Sequence, residues 1–290
     1  MIKIAFIGSD STHTEAFGDI LKSPDSPISK SAKVVSIWGE DSTQAHKKAK
    51  LLEIPKIALT VEDALIDVDL AMVITRFSDN HVELAEKALR KGVPTFIDKP
   101  FTTNVDEAKY LTKLAKDLSI PLCSFSPLRF SKEIIELKQL INKDKGKPFS
   151  VHGSVPANCS DLGDDPRLQS PLFYGIHGLE MLLELVGSNI KSVSYNYGNT
   201  SISVSIEMVS GNTVLFSLIR NTVEFYCVGV YTKSHAVSKN IKLDGSYYED
   251  ELNYLVNRFM FGHHTVSLES TLKAVEILET IRRNDTLRIN

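Results

Sequence analysis

Over its first 125 residues the chain alternates between two hydrophobic rhythms, and this alternation restricts the fold more than any other feature. Short apolar or β-branched runs at 2–7, 34–38, 70–74, 93–97 and 122–125 have the length of buried strands. Between them, 14–22, 42–52, 81–91 and 105–118 read as helices. In 81–91, Val82, Ala85, Ala88 and Leu89 recur at helical spacing and Gly92 ends the pattern. The Ser- and Pro-rich stretch 23–31 reads as a loop. Strands separated by helices of this length imply βαβ units and a parallel sheet. Ligands of such sheets bind beyond the carboxyl ends of the strands, where Gly8, Trp38, Thr75 and Asp98 fall.

After residue 125 the rhythm changes. Segments 131–141 and 172–186 read as helices, and 149–155 as a strand. The runs 193–197, 202–208, 213–218 and 223–231 follow, with Gly211-Asn212 as a hairpin turn between two of them. Two helices, 247–261 and 268–283, close the chain. The expected fold class is α/β: a doubly wound parallel sheet over 1–125, then an α+β domain over 126–290 with an open, mostly antiparallel sheet. The C-terminal helix is expected to pack back on the first domain.

Composition narrows the function. The 290 residues carry 33 Lys and Arg against 36 Asp and Glu, a formal charge of -3. That balance argues against a general nucleic-acid binder, which needs a basic surface. Cys123, Cys159 and Cys227 are widely spaced, odd in number and form no C-x-x-C, so neither a disulfide scaffold nor a cysteine-pair zinc site is expected. The opening MIKIAFIG lacks a signal-peptide pattern, and no run approaches the roughly 18 apolar residues of a membrane span. The expected address is the cytoplasm, with no membrane partner.

The turn after the first run, Gly8-Ser9-Asp10-Ser11-Thr12-His13, lies where a βαβ unit places a phosphate loop. Of the three glycines in G-x-G-x-x-G only Gly8 is present; Asp10 and His13 replace the others. Thr12-x-x-Glu15 fits a capping box, which would start a helix whose free N–H groups can hold an anion. Ser9, Ser11 and Thr12 add hydroxyls. The alternative is a polar turn with no ligand. After the second run, Gly39 occupies the place of a ribose-binding acid and Glu40 follows it; Glu40 is either that acid, displaced, or an exposed acid near a helix start. Trp38 is a candidate flank for an adenine. The run at 93–97 ends in Asp98-Lys99-Pro100. A lysine there points toward the ligand crevice, where it can bond a hydroxyl or help move a proton, and Pro100 constrains the turn.

At this point the chain resembles the glucose–fructose oxidoreductase, inositol dehydrogenase and rhizopine-catabolism (Gfo/Idh/MocA) family. The resemblance rests on VDLAMVITRFSDNHVELAEKALRKGVPTFIDKPFTTNVDEA, with Asp98-Lys99-Pro100 in place of the family's E-K-P. Arg129-Phe130, the helix around His177 and the closing SLESTLKAVEILETIRR extend it. It implies a Rossmann-type first domain and a two-domain dehydrogenase using NAD or NADP on a sugar, polyol or related hydroxy compound. It also implies association of copies through the open face of the second sheet. Lys99 is then expected near nicotinamide and substrate, with Gly8 to His13, Trp38, Glu40, Thr75, His81 and Asp98 around the cofactor, and Arg129, Tyr174 and His177 near the substrate. No basic residue directly after Gly39 marks a 2′-phosphate pocket, which favours NAD. The family's D-x-G-x-H-x-x-D reads here Phe173-x-Gly175-x-His177-x-x-Glu180, so the first acid is missing.

His177 is the general-base candidate, because imidazole titrates near neutral pH. Glu180 and Glu184 lie near its helical face, opposite Leu179, Leu182, Leu183 and Val186. Tyr174 offers a hydroxyl where the acid is missing. His81 is either a crevice residue or a helix-start contact. Asp161, Asp164, Asp165 and Arg167 line either a substrate mouth or a solvated loop. His263-His264 makes a poor metal site, and Lys47, Lys48 and Lys50 read as a solvated helix face. Two missing glycines and a missing acid leave a second reading open: a non-catalytic, regulatory binder of a dinucleotide or sugar.

Overall fold

The computed structural model describes residues 1–144, 149–159, 165–262 and 266–289, with side chains to residue 285. Asp161, Asp164, His263 and His264 lie outside the described residues. The chain divides into two compact units, Met1–Phe125 with Tyr248–Leu268, and Ser126–Tyr247 with Glu269–Asn290.

The first unit contains β1 (Ile2–Ile7), α1 (Thr12–Lys22), β2 (Ala32–Trp38), α2 (Ser42–Leu52), β3 (Lys56–Ile57), α3 (Val61–Ala64), β4 (Leu70–Val73), α4 (His81–Arg90), β5 (Thr95–Ile97), α5 (Val105–Leu118) and β6 (Leu122–Ser124). The sheet runs β3-β2-β1-β4-β5-β6, and every pairing in it is parallel. This is the strand order of a dinucleotide-binding sheet, with its reversal between β1 and β4. Because β4 and β5 are covered on both faces, every residue in them is buried. The short β3 and α3 escape a periodicity reading because two and four residues cannot show a period.

An aromatic ladder crosses this unit. Phe17 on α1 meets Phe96 on β5 at 6.4 Å, Phe96 meets Phe125 at 5.2 Å, and Phe125 meets Tyr254 at 5.3 Å. Tyr254 belongs to α8 (Tyr247–Asn257). It is therefore α8 that returns to the first unit. The last helix, α9 (Leu268–Ile289), groups with the second. The apolar stripe of α9, Ala274, Val275, Leu278 and Ile281, is fully buried there.

The second unit contains α6 (Lys132–Lys143), β7 (Ser150–Pro156), α7 (Pro171–Val186), β8 (Ile190–Tyr197), β9 (Ser201–Met208), β10 (Thr213–Ile219), β11 (Cys227–Tyr231) and β12 (Ala236–Asn240). The sheet order is β12-β11-β7-β10-β9-β8. Only the β10–β7 pairing is parallel, so the sheet is mostly antiparallel as expected. Gly211, at φ 85°, turns β9 into β10. Alternate residues of β9, Ile202, Val204, Ile206 and Met208, are buried, whereas Ser203 is exposed. This alternation is that of a sheet with one face on a core. β12 escapes the sequence reading because Ala236, Ser238 and Asn240 on this edge strand are exposed and Val237 is its one β-branched residue, too little for an apolar run. Among the described residues no helix is long and apolar enough to cross a membrane.

Candidate functional site

The turn between β1 and α1 stands at the sheet's reversal. Gly8 has φ 134°, and a Cβ there would lie 2.6 Å from the Thr75 backbone nitrogen. Only glycine fits so close to the end of β4. Ser11 caps α1, its hydroxyl accepting from the His13 N–H at 3.1 Å. This replaces the expected capping box on Thr12, which is instead the first helical residue. Glu15 turns away to pair with Lys48, so Lys48 is not simply solvated. Asp10 is exposed, and each of its carboxylate oxygens lies 3.3 Å from the Arg76 N–H that it accepts. The His13 ring is buried, with Nδ1 2.6 Å from Asp98 Oδ2 and Nε2 2.9 Å from the Tyr248 hydroxyl.

A dinucleotide phosphate fits this turn. Gly8 keeps the backbone close to β4, the first-turn N–H groups of α1 offer a positive dipole end, and the same turn carries the hydroxyl residues Ser9, Ser11 and Thr12, with Ser11 as the helix cap. The charge of Asp10 is held by a backbone donor, and His13 fills its site by turning inward. Gly39 is the second fixed position, since a Cβ there would lie 2.0 Å from Ser9 Oγ. A side chain at residue 39 would require the Ser9 side chain to shift. Asp41 is used as the cap of α2, accepting from Thr43 and Gln44 N–H groups. Glu40 is exposed and Trp38 half-buried at the end of β2.

Asp98 and Lys99 follow β5 and are both buried. Burial alone would raise the Asp98 pKa, but His13 and Lys99 outweigh it, so the carboxyl sits below its ordinary value. Asp98 Oδ1 also accepts the Lys99 N–H at 2.8 Å, which fixes the start of the turn. Thr75 is buried and donates its hydroxyl to Asn80 Oδ1 at 2.8 Å. His81 is fully buried. Its Nδ1 lies 3.0 Å from the Pro100 carbonyl and its Nε2 3.4 Å from that of Thr75. Burial pushes its pKa down, against the pull of Asp98 and of the backbone groups. This ring therefore ties the β4 end to the Asp98-Lys99-Pro100 turn.

In the second unit, α7 is buried on almost every side, Glu180 included. His177 Nδ1 lies 2.6 Å from Ser126 Oγ. Glu180 Oε2 accepts the Ser126 N–H and Arg129 Nε–H, the latter at 3.1 Å. Arg129 also donates to Glu184 at 3.0 Å and Ser270 at 2.8 Å. Burial would lower the Arg129 pKa, but the two glutamates hold it above its usual value. The guanidinium fork is thus committed to its own unit. Tyr174 is buried beside Phe173, ring centroids 5.0 Å apart. Asp165 and Arg167 pair with each other at 2.7 Å.

Ser126 and Tyr248 are among the residues of these networks that were not singled out from sequence. Ser126 had a signal, since Ser-Pro starts turns, and here it caps a 3₁₀ turn, Pro127–Phe130. Tyr248 had none. Among the described residues no group of three or more His, Cys, Asp or Glu is placed to hold a metal ion.

Residues 2–123 match a family model described as an oxidoreductase family with an NAD-binding Rossmann fold. An uncharacterized oxidoreductase of Schizosaccharomyces pombe is 28% identical over 137 residues, 44% of this chain and 37% of that protein. The scyllo-inositol 2-dehydrogenase (NAD(+)) of Bacillus subtilis is 25% identical over 169 residues, 56% of this chain and 49% of that one. The chain spans less than half the length of these curated relatives. The structure of a putative myo-inositol dehydrogenase from Sinorhizobium meliloti 1021 has a TM-score of 0.80, covering 100% of this chain and 98% of its own at 16% identity. That of scyllo-inositol dehydrogenase from Lactobacillus casei, with bound NAD(H) and scyllo-inositol, has a TM-score of 0.79, covering 96% of this chain and 95% of its own at 13% identity. At these identities the likeness is one of fold. The match to this oxidoreductase family with its NAD-binding Rossmann fold thus covers residues 2–123, nearly all of the first sheet, and the likeness of fold to the solved structures extends over the whole chain.

Proposed function

We propose that the protein is a nicotinamide-dependent dehydrogenase acting on a sugar- or polyol-like alcohol. The observation that carries this reading is the phosphate turn at the reversal of the β3-β2-β1-β4-β5-β6 sheet, with Lys99 at the end of β5. The inositol dehydrogenases named above supply the substrate class. Gly8 to His13 would hold the pyrophosphate, and Trp38 and Glu40 the adenosine side. The cofactor, when bound, takes or gives a hydride. Lys99 holds the substrate oxygen, and His177 takes its proton as the alcohol is oxidised. Glu40, not a basic residue, follows Gly39, which favours NAD over NADP. Self-association through the open face of the second sheet belongs to the same reading; Leu215 is exposed there, in register with Ser205 and His152.

The test is calorimetric titration with NAD(H) and NADP(H), followed by turnover on a polyol panel by wild type, Lys99→Ala, His177→Ala and the double variant. If both residues serve one hydroxyl, the double variant loses far less than the product of the single losses. The absence of binding at millimolar cofactor sinks the reading. Binding with equal background turnover in all four proteins favours the regulatory binder, to which Phe173 in the acid's position points.

A further inference from the structure

We propose that Ser126 is the positioning residue of His177, holding the ring by Nδ1 so that the base lone pair resides on Nε2. This deepens the dehydrogenase reading and rests on it for the catalytic consequence alone.

Ser126 is fully buried and fixed by its backbone as well as its side chain. Its N–H donates to Glu180 Oε2, and its Oγ accepts the Leu128 N–H at 3.2 Å as the cap of the 3₁₀ turn. Glu180 lies one helical turn after His177 on α7 and is itself anchored by Arg129 at 3.1 Å. A chain of contacts thus runs Arg129, Glu180, Ser126, His177. Its last link is the 2.6 Å approach of Oγ to Nδ1. The imidazole is held from another side by Tyr226, ring centroids 5.5 Å apart at 76°. The charged and titratable groups around this link include Glu180 and Tyr174 on α7, Arg129 on the 3₁₀ turn, Cys159, and Tyr226 with Glu224, which accepts its hydroxyl at 3.2 Å. Four positions before His177, Phe173 packs on Tyr174 and offers no polar atom.

A hydroxyl has one hydrogen and two lone pairs. One lone pair of Ser126 Oγ is taken by the Leu128 N–H, so Oγ can either accept Nδ1–H with its second lone pair or donate its own hydrogen to Nδ1, and the first arrangement is the one proposed. The same bond survives when the ring gains a proton at Nε2, because Nδ1 stays a donor in imidazolium. A carboxylate in this place would favour the charged ring. An uncharged hydroxyl orients the ring without that bias, leaving Nε2 able to accept the alcohol proton.

The test uses full-length protein labelled with ¹⁵N at histidine, the His177 ring signals assigned with His177→Gln. Wild type should show the Nδ1–H tautomer. Ser126→Ala should shift it toward Nε2–H, the form preferred in free histidine, and Ser126→Thr should restore it. In steady-state polyol oxidation, Ser126→Ala should lower kcat by roughly 10²-fold, the size of a misplaced catalytic group, with KM changed less than about threefold. Should Ser126→Ala fail to fold, Ser126→Cys, nearly isosteric and a weak hydrogen-bonding group, takes its place with the same expected shift. A wild-type ring already protonated at Nε2 overturns the proposal, as does a tautomer unmoved by either substitution. Because the spectra need no turnover, a protein without dehydrogenase activity would defeat the functional reading and leave this one separately decided.

Discussion

His13 Nδ1 lies 2.6 Å from Asp98 Oδ2, and both side chains are buried. Each residue departs from a pattern that the sequence resembles, His13 standing for the third glycine of G-x-G-x-x-G and Asp98 for the glutamate of E-K-P. The two departures meet. The imidazole occupies space that glycine would leave open, and the shorter carboxylate receives it. Tyr248 completes the arrangement by bonding Nε2 at 2.9 Å. His13→Gly, which restores the third glycine of G-x-G-x-x-G, should therefore destabilise the protein. Leaving the Asp98 oxygen without its partner costs about 1–3 kcal/mol. Urea unfolding of His13→Gly, Asp98→Asn and the double variant would check this. The single losses should exceed the double loss when summed; simple additivity would show that the pair does not interact.

Gly8 is expected to be intolerant for two reasons that act together. Its φ of 134° is one that L side chains rarely adopt, and the neighbour 2.6 Å from a Cβ is backbone, which cannot step aside. Gly8→Ala should cost about 1–3 kcal/mol in strain. It should also weaken dinucleotide binding at least tenfold in calorimetry, since the turn must move away from β4. A variant with unchanged stability and affinity would remove the turn from the site.

What sequence reveals here follows the range of the interactions. The strands and helices of the first 125 residues, apart from the short β3 and α3, were legible because their burial is set by local period, and α2 and α5 begin and end where capping and breaking residues place them. That Gly8 and Asp98-Lys99 stand at strand ends was legible from the same local pattern. The reach of His13 to Tyr248 spans 235 positions, and that of Ser126 to His177 spans 51. No local pattern encodes such pairings. The grouping of α8 with the first unit was hidden for the same reason, since Tyr254 looks like any helical aromatic until Phe125 is beside it.

Arg129 and Glu180 form an ion pair whose side chains are 2% and 0% exposed. Removing one member of such a pair leaves an uncompensated buried charge, at about 3–5 kcal/mol. Arg129→Met and Glu180→Gln should each lower the urea midpoint by a corresponding amount. Because Glu180 also accepts the Ser126 N–H, Glu180→Gln should disturb the His177 ring signals. Arg129→Met should do so less. Equal spectra for wild type and Glu180→Gln would break the link between this pair and the histidine.

Acid should destabilise the first unit in two stages, and the two groups act with the same sign. His81 is buried, and its folded pKa lies below the ordinary 6.5. Below about pH 6.5 the unfolded chain takes up a proton there that the folded chain refuses. The stability due to keeping the ring neutral is present above that pH and is lost as pH falls toward the lower, folded value. Asp98 has a folded pKa depressed below 3.8, with His13 and Lys99 prevailing over burial. Its contribution is present above about pH 3.8 and is lost as pH falls through the folded value. Thermal unfolding followed between pH 8 and pH 3 should show a decline beginning near pH 6.5 and a steeper one below pH 4. His81→Gln, which cannot titrate, should be less stable at neutral pH and should lose the first decline but keep the second. A first decline that persists in His81→Gln would assign it to another group and leave the buried ring without a part in acid sensitivity.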